Sequence, residues 1–161
     1  TEKGAMGFII NRSLYKPTIS DFFSQLGIIN ENEVDDLVDN IKDIQLCSGG
    51  PVEPGRGFVL HSPEFNGEST LIVDENVSLT ATLEILRAIV TGKGPQDILL
   101  TLGYSGWASG QLEKEIVSNG WLICQSDSSI MFSEKNALKY DQALKILGVD
   151  PMLLSADSGH A

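Results

Sequence analysis

Glycines at the ends of short apolar runs constrain how this chain can fold more than any other feature. The clearest case is "LGYSGWASGQLEKE", residues 102–115, where Gly103, Gly106 and Gly110 stand between an apolar run and an acidic one. Glycine adopts left-handed backbone conformations at almost no steric cost, so the main chain can turn sharply at these positions. The pattern predicts a strand-to-helix corner with Trp107 tucked under the strand.

A second glycine-rich stretch, "CSGGPVEPGRG", separates apolar runs near residues 44–48 and 57–61. Such punctuation predicts two strands joined by a wide hairpin loop. A third strand is predicted within residues 69–75, so three strands follow one another without a helix. This order favours an α+β fold with a mixed sheet over a purely parallel sheet. The glycines at strand ends predict a sheet that bends sharply.

Helices are predicted over residues 18–27, ending at Gly27, and over 78–92, opening at Ser78 and ending at Gly92. In the second of these, one face is expected to carry Leu79, Leu83, Leu86 and Val90. A further helix is predicted to carry Ala108, Leu112 and Ile116 on one face and to end at Asn119-Gly120, and another is predicted over about residues 134–147. The apolar runs "DILLTLG" and "WLICQS" predict strands at residues 97–103 and 121–126.

Charge and composition narrow the classes of function. The 161 residues suit one domain and carry a net charge of −11, which opposes direct DNA binding because phosphates require Lys and Arg. Lys135 and Lys139 form a basic pair at helical i,i+4 spacing in a predicted helix. No apolar run reaches the roughly 18 residues of a membrane span. Cys47 and Cys124 lie too far apart for a metal motif, so we expect no metal or cofactor and a reduced, cytoplasmic setting.

The motifs of common catalytic turns are broken here. A nucleophile elbow needs G-x-S-x-G, yet Trp107 stands where the second glycine belongs after Ser105. The glycines at 103, 106 and 110 also miss the G-x-G-x-x-G spacing of a dinucleotide site. Cys47 is interpreted as a buried, inert thiol in preference to a reactive one. The acidic pairs Glu113/Glu115 and Asp35/Asp36 are interpreted as solvated faces.

Polar and glycine residues nevertheless gather at predicted strand ends, where ligand sites tend to lie. We predict one cleft, and its lining residues are Asn11, Arg12, Gly49, Gly50, His61, Gly103, Tyr104, Ser105, Gly106 and Gln111. The leading interpretation is a noncatalytic binding or regulatory protein that contacts an unknown protein partner or a small anionic ligand. The acidic stretch 31–43 is a candidate surface for a basic partner. The alternative is an enzyme acting on a small anionic metabolite through Arg12 or Arg56, with His61 as general base.

Four blocks of the sequence, taken together, resemble the AlgH/YqgE family over essentially the whole chain. They are "KGAMGFIINR", "SGGPVEPGRGFVLH", "LGYSGWASGQLEKEI" and "LGVDPMLLSADSGHA". The resemblance implies a bacterial cytosolic α+β domain whose bent, bifurcated sheet forms a pseudo-barrel with helices outside. It implies no accepted reaction, because members are described as uncharacterised or as proposed transcriptional regulators. Members usually carry a further N-terminal apolar strand, so residues 1–161 are expected to lack one strand of the sheet.

Overall fold

A computed structural model describes residues 2–29, 41 and 43–150. The strands are β1 (Ala5–Gly7), β2 (Gln45–Ser48), β3 (Val52–His61), β4 (Leu71–Ile72), β5 (Ser78–Thr80) and β6 (Ile98–Trp107). The helices are α1 (Ile19–Gln25), α2 (Leu83–Val90), α3 (Gln111–Val117), α4 (Ser128–Met131) and α5 (Lys139–Ile146), the last preceded by a 3-10 turn at Asn136–Leu138. Most of the acidic stretch 31–43 and the block after Asp150 lie outside the described residues.

Strand β6 organises the sheet because three other strands pair with it. It is antiparallel to β3, parallel to β2 over Leu99–Leu102, and antiparallel to β1 over Ser105–Trp107. The remaining order is β3-β5-β4, so β4 forms an edge of the sheet that residues 2–29, 41 and 43–150 build. The parallel pair of β2 and β6 among antiparallel pairs makes the sheet mixed. The sheet is divided because β2 pairs with the first part of β6 and β1 pairs with its last part. The predicted α+β domain with a bent, bifurcated sheet and flanking helices is confirmed.

Apolar side chains cover both faces of the sheet. Neighbouring residues of a strand point to opposite faces, so Leu100 joins one core with α1 and α2 while Leu99 joins the other. The second core also contains Cys47, Phe8 and Met131. Burial on two faces explains why the β6 sequence is a continuous apolar run. No helix among the described residues combines the length and apolarity that crossing a bilayer would require.

Helix α1 begins and ends as its sequence predicts. The Thr18 hydroxyl accepts a hydrogen bond from Asp21 N at 3.1 Å, and the Asp21 carboxylate accepts one from Thr18 N at 2.9 Å. This reciprocal pair satisfies amides that the first helical turn leaves open. Gly27 follows the helix with φ 64°, a left-handed conformation that suits glycine. The helix thereby presents Phe22 and Phe23 to the core.

Helix α2 starts later than the sequence predicts, although its end before Gly92 (φ 69°) is confirmed. Ser78 does not open it, because Ser78–Thr80 pair with β3 as strand β5. Pairing across the sheet outweighs the local helical pattern there. The buried face is consequently shifted: Leu79 lies on a strand and Leu83 is exposed, whereas the buried residues are Ile85, Leu86, Ile89 and Val90.

The corner predicted at Gly103 to Gly106 lies further along the chain. Strand β6 continues through both glycines to Trp107, because β1 and β3 pair with this part of it. The chain turns at residues 108–110, and Gly110 (φ 73°) precedes α3, so Ala108 lies in the turn and not in the helix predicted to include it. The predicted strand 121–126 forms no strand in the described part of the chain, and the last helix begins at Lys139 rather than near residue 134.

Candidate functional site

The two glycine-rich stretches meet where β2 leads into β3 beside β6, and we call Gly49, Gly50, Gly103 and Tyr104 the glycine crossing. Gly49 N donates to the Leu102 carbonyl at 2.8 Å, and the Gly49 carbonyl accepts from Ile9 N at 2.9 Å. A Cβ atom on Gly50 would overlap the Tyr104 carbonyl group. One on Gly103 would lie 2.8 Å from the carbonyl oxygen of Val52. The sequence prediction that these residues meet agrees with this geometry.

Main chain fills the glycine crossing instead of lining an open cleft. Gly49, Gly50 and Gly103 are buried, while Ser105 is half-buried and Gly106 is exposed. The Tyr104 ring packs edge-on against Phe58, with centroids 5.6 Å apart. A small ligand could therefore reach only the outer rim of the crossing.

The main chain of Asn11 and Arg12 runs beside β2 near the crossing, whereas the Arg56 side chain is engaged elsewhere. Asn11 and Arg12 are exposed, and the Arg12 carbonyl accepts from Ser48 N at 2.8 Å, which holds this segment beside β2. The Arg56 guanidinium pairs with Glu53 at 3.0 Å and lies 5.1 Å from the centroid of the Phe58 ring.

Gln111 caps helix α3 instead of facing the crossing. Its Oε1 atom accepts from Ala108 N at 3.0 Å, and its Nε2 atom donates to Glu115 at 3.1 Å. Both ends of the side-chain amide are therefore bonded within the turn between β6 and α3.

His61 lies apart from the other predicted site residues. It pairs with Ile98 at the opposite end of β6, five positions before Gly103, which is roughly 17 Å along a strand. The side chain is fully buried, with Nδ1 2.8 Å from the Ser62 carbonyl oxygen and Nε2 2.9 Å from Thr80 Oγ1. A carbonyl only accepts, so Nδ1 carries the proton and Nε2 accepts from the hydroxyl. Burial lowers the pKa of His61, which keeps the ring neutral.

The His61 contact belongs to a directional chain of hydrogen bonds that the sequence did not reveal. Gly67 N donates to Thr70 Oγ1 at 3.0 Å, and the hydroxyls of Thr70 and Thr80 lie 2.8 Å apart. Because Thr80 donates to His61, Thr70 donates to Thr80. We call this the threonine–histidine chain; it ties the residue before β4 to β5 and β3. The one sequence signal for this chain is Thr80, and Thr80 falls inside the helix that the sequence predicts from residue 78.

A second buried polar cluster surrounds Cys47. Asn136 Nδ2 donates to Ser13 Oγ at 2.8 Å and lies 3.4 Å from Cys47 Sγ. Lys139 Nζ donates to the carbonyl oxygens of Ile10 (3.0 Å) and Met131 (2.7 Å). Burial raises the pKa of the Cys47 thiol and lowers the pKa of Lys139. The thiol is thus held protonated and away from solvent, which fits the inert interpretation.

The Glu115 carboxylate is structural, which corrects its interpretation as a solvated acid. Its Oε2 atom accepts from both indole nitrogens, Trp107 at 3.1 Å and Trp121 at 2.8 Å. The hydrogen bond from Trp121 is the leading cause that lowers the pKa of Glu115. This contact holds the segment after α3 against the end of β6, with Leu122 and Ile123 exposed.

Strand β4 presents an exposed apolar edge. Leu71, Ile72 and Val73 expose 61%, 71% and 55% of their surface. Val73 N donates to the Val77 carbonyl, and antiparallel partners alternate between bonded and non-bonded pairs. The main-chain N–H and C=O groups of Ile72 therefore point away from β5, toward solvent. We call Leu71–Val73 the β4 edge.

The described residues contain no group of three or more His, Cys, Asp or Glu side chains placed to hold a metal ion. Cys124 is partly exposed and Cys47 is buried, and both are free thiols.

Comparison with known proteins places this architecture in a family. The AlgH-like family model matches residues 1–152. A "UPF0301 protein" from Beijerinckia indica is 48% identical over 100% of this chain and 79% of its own length, and one from Methylocella silvestris is 50% identical with the same coverage. The solution structure of the AlgH protein from Pseudomonas aeruginosa is similar with a TM-score of 0.76 and 36% identity, covering 100% of this chain and 82% of that one. The chain belongs to the AlgH-like family.

Proposed function

We propose that this chain is a noncatalytic binding protein that acts through contact with another protein, and that the β4 edge is its contact surface. The observation that carries the proposal is the run of three consecutive exposed aliphatic residues on a sheet edge whose main chain is open at Ile72. An edge of this kind is a template to which another chain can add.

The chemistry of the predicted catalytic candidates supports a noncatalytic role. Both ring nitrogens of His61 are engaged in hydrogen bonds inside the protein, so no lone pair faces a substrate. Cys47 is buried, and its raised pKa disfavours the nucleophilic thiolate. The amide of Gly49 already donates to Leu102, which removes one donor from any anion site at the glycine crossing.

A regulatory role would, in this proposal, operate through the partner protein and not through DNA. The net charge of −11 opposes binding to phosphates, and Lys139 is buried, so the predicted basic pair offers a single exposed cation. Two free thiols support a reducing, cytoplasmic setting.

Site-specific photo-crosslinking in the native host tests the proposal. A photoreactive residue at position 71 should yield a discrete protein adduct, and the same residue at Val117, which is 82% exposed on α3, should not. Adding Ile72→Asp should abolish the adduct while leaving the melting temperature close to that of wild type, because the Ile72 side chain is mostly exposed. Equal adducts at both positions, or an adduct that survives Ile72→Asp, would contradict the proposal.

A further inference from the structure

The surroundings of the β4 edge restrict the kind of segment that can bind there, and the inference rests on the proposed function above. Residues 62–86 contain acidic side chains and no Lys or Arg; the acids are Glu64, Glu68, Asp74, Glu75 and Glu84. Acidic side chains thus predominate in the segments that flank this apolar edge, and the first cation after them is Arg87, one turn beyond Glu84 on α2. Such a field favours a ligand of the opposite sign and speeds its approach.

Carboxylates stand at both ends of β4. Helix α2 contributes Glu84, whose Oε2 atom would lie 2.8 Å from a Cβ atom on Gly67, in the loop that leads to the strand. After the strand, Asp74 Oδ1 accepts from Asn76 N at 2.8 Å, which fixes the turn that carries Glu75. Glu68, Glu75 and Glu84 are exposed and form no ion pair within residues 2–29, 41 and 43–150.

Main-chain pairing alone gives a weak site. Ile72 offers one N–H and one C=O group, whereas Thr70 N donates to Gly67 and Asp74 N donates to Val77. Two added hydrogen bonds contribute roughly 0.5–1.5 kcal/mol each. Side chains must therefore supply most of the affinity and all of the selectivity. Leu71 and Val73 share one face of the strand, and Ile72 lies on the other.

We propose that the β4 edge receives an extended segment of a partner protein with alternating aliphatic and basic side chains, which adds to the sheet as a further strand. The aliphatic residues pack along Leu71 and Val73, and the Lys or Arg residues reach the carboxylates at the two ends. A second copy of this chain is a poor occupant, because it would bring the same acids and the same net charge of −11 against themselves.

Titration with defined peptides tests the charge and the geometry separately. A short blocked peptide of alternating valine and lysine, added to isotope-labelled protein at low salt, should give saturable NMR shifts at the amides of Ile72 and Leu79. A peptide with glutamate in place of lysine should not bind. A valine–lysine peptide with a central proline should bind much more weakly, because proline removes a strand donor. Equal binding of either control peptide would overturn the proposal.

Variants of the protein add a matched control. Glu68→Gln combined with Glu75→Gln should weaken peptide binding by about three- to tenfold, as expected for two exposed ion pairs. Glu134→Gln removes an exposed carboxylate outside this region and should leave the affinity unchanged. Dimerisation lost on Ile72→Asp, detected by sedimentation, would assign the edge to self-association and overturn the inference.

The peptide titration and the crosslinking experiment test separate claims, so one proposal can be rejected while the other is retained. An adduct at position 71 without binding of the valine–lysine peptide would sustain protein contact at the β4 edge and reject the basic segment. Peptide binding without any adduct in the cell would sustain the site and reject the cellular role.

Discussion

The Nε2 atom of His61 accepts a hydrogen bond from Thr80 Oγ1 at 2.9 Å, and this contact fixes the direction of the hydrogen bond between the Thr70 and Thr80 hydroxyls. The chain runs from Gly67 N through the hydroxyls of Thr70 and Thr80 to the imidazole and the Ser62 carbonyl. A neutral ring satisfies it completely. A second proton on the ring would set an N–H group against a hydroxyl that now donates.

Stability should therefore fall in acid through His61. Burial lowers the pKa of the folded-state imidazole below its ordinary value of 6.5, so below pH 6.5 the unfolded chain binds more protons than the folded one. The free energy of unfolding should decrease by up to about 1.4 kcal/mol per pH unit until the folded-state pKa is reached. Urea denaturation across this range should show the decrease in wild type and a shallower profile in His61→Gln. Identical profiles would show that the ring is protonated equally in both states.

Removing the central hydroxyl should loosen the β4 edge. Thr80→Val keeps the shape but leaves His61 Nε2 without a donor and Thr70 without an acceptor, which should cost about 1–3 kcal/mol of unfolding free energy. Amide exchange at Val73, whose N–H donates to Val77, should accelerate. The control Thr91→Val removes a hydroxyl that donates to the Arg87 and Ala88 carbonyls at the exposed end of α2, where water can replace it, and should cost less than about 1 kcal/mol. Unchanged exchange at Val73 would show that the threonine–histidine chain does not stabilise the β4 edge.

The glycine crossing predicts a sharp contrast between two glycines that both lie within strands. Gly103 has φ 71°, and a Cβ atom there would meet the Val52 carbonyl and Pro54, so Gly103→Ala should cost about 3 kcal/mol or more. Gly55 lies in β3 with nothing within 4 Å of such an atom, and Gly55→Ala should be neutral or stabilising by up to about 1 kcal/mol. Denaturant unfolding of both variants checks this, and equal costs would contradict it.

Local patterns were sufficient for the elements that local chemistry determines. The capping pair of Thr18 and Asp21, the left-handed glycines after helices, and the apolar run of β6 each leave a trace within a few residues. The α+β class followed from the order of strands. The meeting of Gly49 and Gly50 with the Gly103 region was also predicted, because both stretches concentrate glycine at the ends of apolar runs.

Long-range pairing determined what the sequence could not predict. Ser78–Thr80 joined the sheet because His61 lies opposite Ser78, a contact that no window around residue 78 contains. The site residue His61 was assigned to the cleft from its place after a strand, yet that strand ends at the far side of the sheet. Lys139 and Lys135 look alike in the sequence, and only the carbonyls of Ile10 and Met131 distinguish the buried lysine from the exposed one.

Lys139 joins the start of α5 to the N-terminal segment, since its contact with Ile10 spans 129 positions of the chain. Only 3% of the residue is exposed, and its ammonium group shares the Ile10 carbonyl with Cys47 Sγ, which lies 3.8 Å from that oxygen. Burial lowers the pKa of Lys139, while the nearby Cys47 partly offsets this effect. The group is thus strongly bonded and costly to keep charged.

Lys139→Met should lower the free energy of unfolding by about 1–3 kcal/mol at neutral pH, because two buried carbonyls lose their donor. In alkali the wild-type protein should gain stability relative to Lys139→Met. Between the lowered folded-state pKa and the ordinary value of 10.5, the unfolded chain binds more protons, so the contribution of Lys139 to stability rises with pH. Cys47, whose raised pKa contributes a fall above its ordinary 9.0, interacts with Lys139, so both proteins should carry Cys47→Ala, which removes the thiol titration from the comparison. The exposed control Lys135→Met should track wild type, and a Lys139→Met difference independent of pH would contradict the buried charge.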